Sequence, residues 1–337
     1  MNIGFYSVFV LFFMTLNCET AKSSVAQDNK VYLGTNSVLE VKKGKKVFKT
    51  EFENNTNTLG IIKEPDGNDK LREKSIKINE DSIPLTIEFM KNILLPTMYK
   101  KSGIGIAAIQ VGLPINAFIV DIPITKVLVN DKYEEGDISN AVKEKLYSGQ
   151  SVIIKELSPI YRNNKRIIVE KFVKKSPVMV EKNGKKLLDN IDNEILIIRE
   201  LLPTYENSEN FSVENITTKS SSPDQKDNIV ADVISERKPY FVINPKITFE
   251  SDEEIVLSEG CLSVPHDYVK KEYDGKTDVK RPLSIKLEYI DENNTKQKLN
   301  IDGAKNDYWK WFSRCTQHEF DHTEGVLFID KLYTAGR

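Results

Sequence analysis

"NDYWKWFSRCTQHEFDHTEG", residues 306–325, carries the pattern on which the fold turns. At about 100° per residue on an α-helix, Tyr308, Trp311, Phe312, Cys315, His318, Glu319 and His322 share an arc of about 120°, the width of one buried stripe. Gly325 follows directly and suits the helix's termination. His318 and His322 stand at i and i+4 beside Glu319, the HExxH arrangement in which two imidazoles share one divalent metal and the glutamate works at its open side. Asp321 falls off this face and reads as a solvated charge or as a partner that orients a histidine, not as a ligand. Two histidines leave a catalytic metal one protein ligand short. No histidine follows His322, so the third ligand is sought upstream.

"SEGCLSVP" (258–265) supplies it. Cys261 lies between Gly260, which allows close backbone approach, and Leu262, in a short extended segment that Pro265 ends. A Cys261/His318/His322 set leaves a fourth position open, the mark of a catalytic metal. Cys315 belongs to the buried face of the helix and reads as packing.

Composition bounds the rest. The 337 residues suffice for one large or two ordinary domains, and Lys+Arg 48 against Asp+Glu 50 give no electrostatic reason to expect nucleic acid. Cys18, Cys261 and Cys315 are too few and too scattered for a disulfide framework. "IGFYSVFVLFFMTL" (3–16) is free of charge and suits the apolar core of a signal peptide, with Ser24-Val25-Ala26 as a small-residue cleavage site, although no Lys or Arg precedes it. Residues 1–26 are therefore expected to direct export or organelle targeting, with membrane contact through this segment or a cytoplasmic chain as alternatives. Residues 27–58, rich in Lys, Asn, Thr and Glu, read as a tether or a weakly structured extension.

Further along, "SIPLTIEFMKNILLPTMYKKSG" (82–103) has helical spacing and a possible bend at Pro96; "INAFIVDI" (115–122) and "YFVINPKITFE" (240–250) read as buried strands; "PLSIKLEYID" (282–291) alternates as a half-buried strand that turns at "DENN". Residues 123–239 are too long for an ordinary connection and should hold elements of their own. Within them "RIIVEKFV" and "NEILIIREL" suit strands or short helices, whereas the Ser/Asn-rich stretch 205–228 reads as disordered.

With "GIGIAAIQVG" (103–112) a third motif joins the other two. "GIGIAAIQ", "EGCLS" and "QHEFDH", in this order, resemble the three signature motifs of peptide deformylases, and "IIKEPDGNDKLREKS" (61–75), "FVINP" and "GVLFIDKL" (325–332) are similar to further family segments. The similarity covers roughly 59–122 and 240–335, which implies a catalytic domain of 59–122 and 240–337 interrupted by a family-atypical insertion at 123–239. The resemblance implies an α+β fold with antiparallel sheets around a central metal-binding helix, and removal of the N-terminal formyl group from formyl-methionine peptides or nascent chains as formate. It implies Cys261, His318 and His322 as ligands of one divalent metal, Fe(II) by family preference, with Zn, Ni or Co able to occupy the same set. Glu319 would relay the proton, and the Gln110 side chain with the Leu262 main chain would stabilise the charge on the formyl oxygen. Gly105 would leave its backbone open to an extended peptide. Ile104, Leu257 and Cys315 would line the methionine pocket, while Glu259 and Arg281 would brace the cysteine loop. Thr323 and Ser313 depart from the residues usual there, the loop 266–281 is longer than in the family, and His266 reads as exposed and idle. Two other readings remain: a metallohydrolase of this fold with a changed amide substrate, and a non-catalytic binding protein that keeps a structural metal.

Overall fold

Apolar residues in adjacent strand positions face opposite sides of a sheet, so a run with no polar interruption demands cover on both faces. That requirement is met around "AFIV". A computed structural model describes residues 29–33, 39–43, 45–49, 58–129, 132–135, 152–162, 165–182, 185–202, 212–218, 231 and 233–334. Its central sheet has five antiparallel strands: β1 (Gly105–Ala107), β2 (Ala117–Val120), β3 (Tyr240–Glu250), β6 (Ile285–Ile290) and β7 (Lys296–Ile301), in the order β7-β6-β3-β2-β1. Between β3 and β6 lies a two-stranded ribbon of β4 (Glu254–Ser258) and β5 (Asp278–Pro282), with the short helix α3 (His266–Glu272) between its strands.

Ile106, Ile119, Phe241 and Ile243 point to one side of the sheet, where they pack against Phe89, Met90, Leu94 and Met98. These come from the helical stretch α1 (Ile83–Phe89) and α2 (Leu95–Lys100), which are joined by a π-turn over Met90–Leu94. The π-turn stands just ahead of Pro96, whose missing N–H cannot continue the α-helical ladder, so the expected irregularity takes this form. Ala107, Phe118, Val120 and Val242 point to the other side and meet Phe312 and Cys315 of α4 (Asp307–Thr323). Asn306 caps α4 by accepting from the Trp309 N–H at 3.0 Å. Gly325, at φ 76°, ends it, and a side chain there would meet the Arg72 carbonyl at 2.4 Å. α4 is more enclosed than one amphipathic stripe allows: every residue from Phe312 to Thr323 except Phe320 is buried, because the sheet, the β4-β5 ribbon and residues 327–329 cover different sides.

Two expectations are corrected. The extension is no bare tether: Asn29–Leu33, Leu39–Lys43 and Lys46–Lys49 form an antiparallel sheet whose Val41 is wholly buried in the main core. Lys43 ties it down by donating to Glu73 and to the Lys74 carbonyl at 2.8 and 2.7 Å. Within 205–228, Ser212–Thr218 is a strand; the other residues of that stretch lie outside the described residues, as does the segment 1–26.

"RIIVEKFV" and "NEILIIREL" fall in long strands, Lys165–Lys182 and Lys185–Leu202. They belong to a seven-stranded sheet ordered Ser212–Thr218, Lys185–Leu202, Lys165–Lys182, Val152–Arg162, Val233–Glu236, Ile124–Val129, Lys132–Glu135. No helix among the described residues is long and apolar enough to cross a membrane.

Candidate metal centre and cleft

The helix geometry delivers its promise at one point. The ligand atoms of Cys261, His318 and His322 lie within 4.8 Å of one another, with Cys261 Sγ 3.3 Å from His322 Nε2. Ligands about 2.0–2.3 Å from a common ion stand roughly 3.5 Å apart, so this donor set fits one divalent cation of borderline softness. His318 Nδ1 is held at 2.8 Å by Glu259 Oε2, which fixes the ring and turns Nε2 toward the cysteine.

Glu259 is the hub behind the ligands. Arg281 grips both of its oxygens, at 2.6 and 3.0 Å, and Arg314 also donates to Oε1. Burial would raise the Glu259 pKa, but the bonds from His318 and Arg281 win and hold the carboxyl well below the usual range. Arg281 reaches on to Asp321 at 2.7 Å, and Lys331 meets the other oxygen of Asp321 at 2.7 Å. Asp321 is thus neither a solvated charge nor the group that orients a histidine; it is buried and neutralises Arg281. Spacing could not assign the orienting role to Glu259, which is 59 residues from His318.

The reactive side of the centre opens into a cleft of about 360 Å³ whose walls include Ile104, Gly105, Gln110, Leu262, Trp311, Cys315 and Glu319. Gln110 is orientated by the Ala107 N–H, which donates to its Oε1 at 2.8 Å, so its amide N–H₂ faces Ser263 Oγ at 3.1 Å and Cys261 Sγ at 3.6 Å. Glu319 is fully enclosed; its Oε2 has no partner among the described residues, and burial, opposed by the neighbouring His318 charge, leaves its pKa at about 7.

Gly105 has a reason other than leaving its backbone open. A Cβ there would stand 2.4 Å from Glu319 Oε1 and 2.6 Å from Cys315 Sγ, so glycine makes room for the glutamate itself. Gly260, by contrast, has open space where a Cβ would go, so close backbone approach is not its role.

Leu257 does not line the cleft. It is half-buried and pairs with the buried Val279 on the inner face of the ribbon, whereas the next residue, Ser258, is among the wall residues. His266 is exposed, as expected. Arg314 and Ser263 were not singled out by their spacing, a charged Arg314 one turn before His318 on a helix of buried residues being the available signal for the first; Trp311, placed by spacing on the buried stripe, is instead exposed on the cleft wall.

Comparison with known proteins follows the same residues. The family model described as polypeptide deformylase matches residues 61–148 and 210–337, more than half of the chain. A peptide deformylase of Rickettsia canadensis is 39% identical over 114 residues, covering 34% of this chain and 57% of that protein; one of Wolbachia pipientis is 39% identical over 93 residues, covering 28% and 44%. The chain thus spans about half the length of the curated relatives it matches. A peptide deformylase structure from Synechococcus elongatus, in complex with actinonin, aligns with 84% of this chain and 83% of its own at 20% identity and a TM-score of 0.40.

Proposed function

The chain belongs to the polypeptide deformylase family, and from that premise we propose that it hydrolyses the formyl group from the N-terminus of formyl-methionyl peptides. One observation carries the reading: the Glu319 carboxylate, whose Oε2 has no partner among the described residues, lies in the same cleft as the Cys261/His318/His322 cluster and the outer strand of the sheet.

β1 ends the five-stranded sheet and its second edge has no strand partner among the described residues. An extended peptide can add there by main-chain pairing, which sets the formyl group toward Cys261 and the methionine side chain toward Ile104, Trp311 and Cys315. Cys261, His318 and His322 would hold the divalent metal, Fe(II) by family preference with Zn, Ni or Co also suited to the donors. When bound, it supplies Lewis-acid polarisation and a water made acidic enough to attack near neutral pH.

Glu319 accepts the proton that water loses as its oxygen bonds to the formyl carbon. The same carboxyl returns a proton to the peptide nitrogen as the C–N bond breaks, releasing formate and a free amine. Gln110 Nε2 and the Leu262 N–H are the donors for the negative charge that grows on the formyl oxygen, and Gln110 is held in place beforehand by Ala107.

The test is formate release from formyl-Met-Ala by protein purified without oxygen and loaded with Fe(II), beside Glu319→Gln. Turnover that the substitution removes, with metal content unchanged, supports the reading. Metal-replete protein without turnover would sink it.

A further inference from the structure

Asp121 closes β2 and is wholly buried. Such a carboxylate needs compensation: Tyr99 of α2 donates its hydroxyl to Oδ2, and the Lys238 N–H donates to Oδ1 at 2.9 Å. Arg237, among the last residues of the insertion, brings a cation to it, with Arg166 as a weaker contributor. Arg237 Nη1 is 3.9 Å from Asp121 Oδ2, and its guanidinium lies 5.0 Å over the Tyr99 ring.

The same Nη1 donates to the Gly103 carbonyl at 3.2 Å and the Asp121 carbonyl at 3.5 Å. Gly103 begins the cleft wall, and the Asp121 N–H donates to the Ile104 carbonyl at 2.8 Å. One guanidinium therefore bridges the two segments at one end of the short β1-β2 pairing, beside the cleft. On its other side the Arg237 N–H donates to the Leu157 carbonyl at 2.9 Å, inside the long strand Val152–Arg162 of the insertion's sheet.

We propose that Arg237 is a positioning residue for the reaction assigned above: it couples the insertion's sheet to the Gly103–Gly105 wall and holds that strand edge where the substrate backbone pairs. The inference rests on the deformylase reading for its kinetic part alone. Nothing in the metal cluster or in Glu319 touches Arg237, so its loss should act on peptide binding and leave the chemical step intact. Nη1 serves two carbonyls and the carboxylate while the guanidinium plane lies over the Tyr99 ring; a lysine keeps the charge beside Asp121 but not that planar group over the ring.

The experiment compares the full chain with Arg237→Lys and Arg237→Ala. Kinetics use formyl-Met-Ala-Ser, metal content is measured on each protein, and amide hydrogen exchange is followed over 103–107 in the absence of peptide. Loss of a charge-assisted hydrogen bond should speed that exchange roughly tenfold in both variants. It should raise KM by about the same factor, with kcat within about twofold and metal stoichiometry unchanged. A purely structural role predicts instead a lower active fraction, with unchanged KM and unchanged exchange in the Lys variant, and that result overturns the proposal. If the wild-type chain shows no turnover, the deformylase reading fails by itself, and exchange over 103–107 still decides whether Arg237 holds the wall.

Discussion

Replacing Gly105 by alanine tests the cleft at its tightest point. The new methyl carbon would stand 2.4 Å from Glu319 Oε1, about 1 Å inside the 3.4 Å at which ordinary contact begins, and 2.6 Å from Cys315 Sγ. β1 cannot retreat easily, since it is paired to β2 and its Ile106 is wholly buried. Glu319 has the freer end, because Oε2 has no partner, so the carboxylate should swing by about that 1 Å. A displacement of that size at a proton-transferring group costs on the order of 10²-fold in rate, or roughly 2.7 kcal/mol of transition-state stabilisation. His318 is anchored by Glu259 and not by Glu319, so the Cys261/His318/His322 cluster should keep its capacity for metal. Steady-state formate release from formyl-Met-Ala, metal analysis and thermal melting of Gly105→Ala would show a kcat about two orders of magnitude lower with full metal. Relief of the Sγ contact in Gly105→Ala/Cys315→Ala should recover part of the loss. Wild-type turnover in the single variant would refute the argument that Gly105 exists to seat Glu319.

Other outcomes follow from the charge network and the core. Glu259→Ala strands Arg281 and Arg314 in a buried site and frees the His318 ring; denaturant titration should show a loss of about 3–5 kcal/mol, and a chelator competition a metal affinity weaker by about 10–100-fold. Cys261→Ser removes the soft ligand, so metal analysis after gel filtration should fall well below one ion per chain while far-UV circular dichroism stays unchanged. Phe118→Ala opens a cavity on the α4 side of the sheet, where Phe118 is wholly buried, and urea unfolding should report a loss of about 3–5 kcal/mol. His266→Ala, at an exposed position far from any ligand role, should leave kcat, KM and metal content as they are.

Much of the site was legible because its parts are local. His318, Glu319 and His322 share a face through helix periodicity alone, Gly325 ends that helix where its residue type allows a positive φ, and Gly105 and Cys261 sit in short motifs whose order along the chain carries the resemblance. The strands of the central sheet were legible in part for the same reason: Ala117–Val120 and the first residues of Tyr240–Glu250 are apolar on both faces, which only two-sided burial tolerates, whereas the second half of the latter strand runs largely exposed.

Tertiary structure alone decided which distant groups meet. Glu259 became the carboxylate that orients His318, and Asp321 the counter-ion of Arg281, across separations of 59 and 40 residues that no periodic pattern can encode. Leu257 pairs with the buried Val279 instead of lining the cleft, because a strand residue's neighbours are set by register, not by residue type. The insertion's reach to the cleft wall through Arg237 likewise exists only once its sheet is folded back on the core. Local periodicity determines which side chains share a face; the packing of one face on another determines what each charge must neutralise, because buried ionic groups are compensated by whatever the fold brings within hydrogen-bond reach.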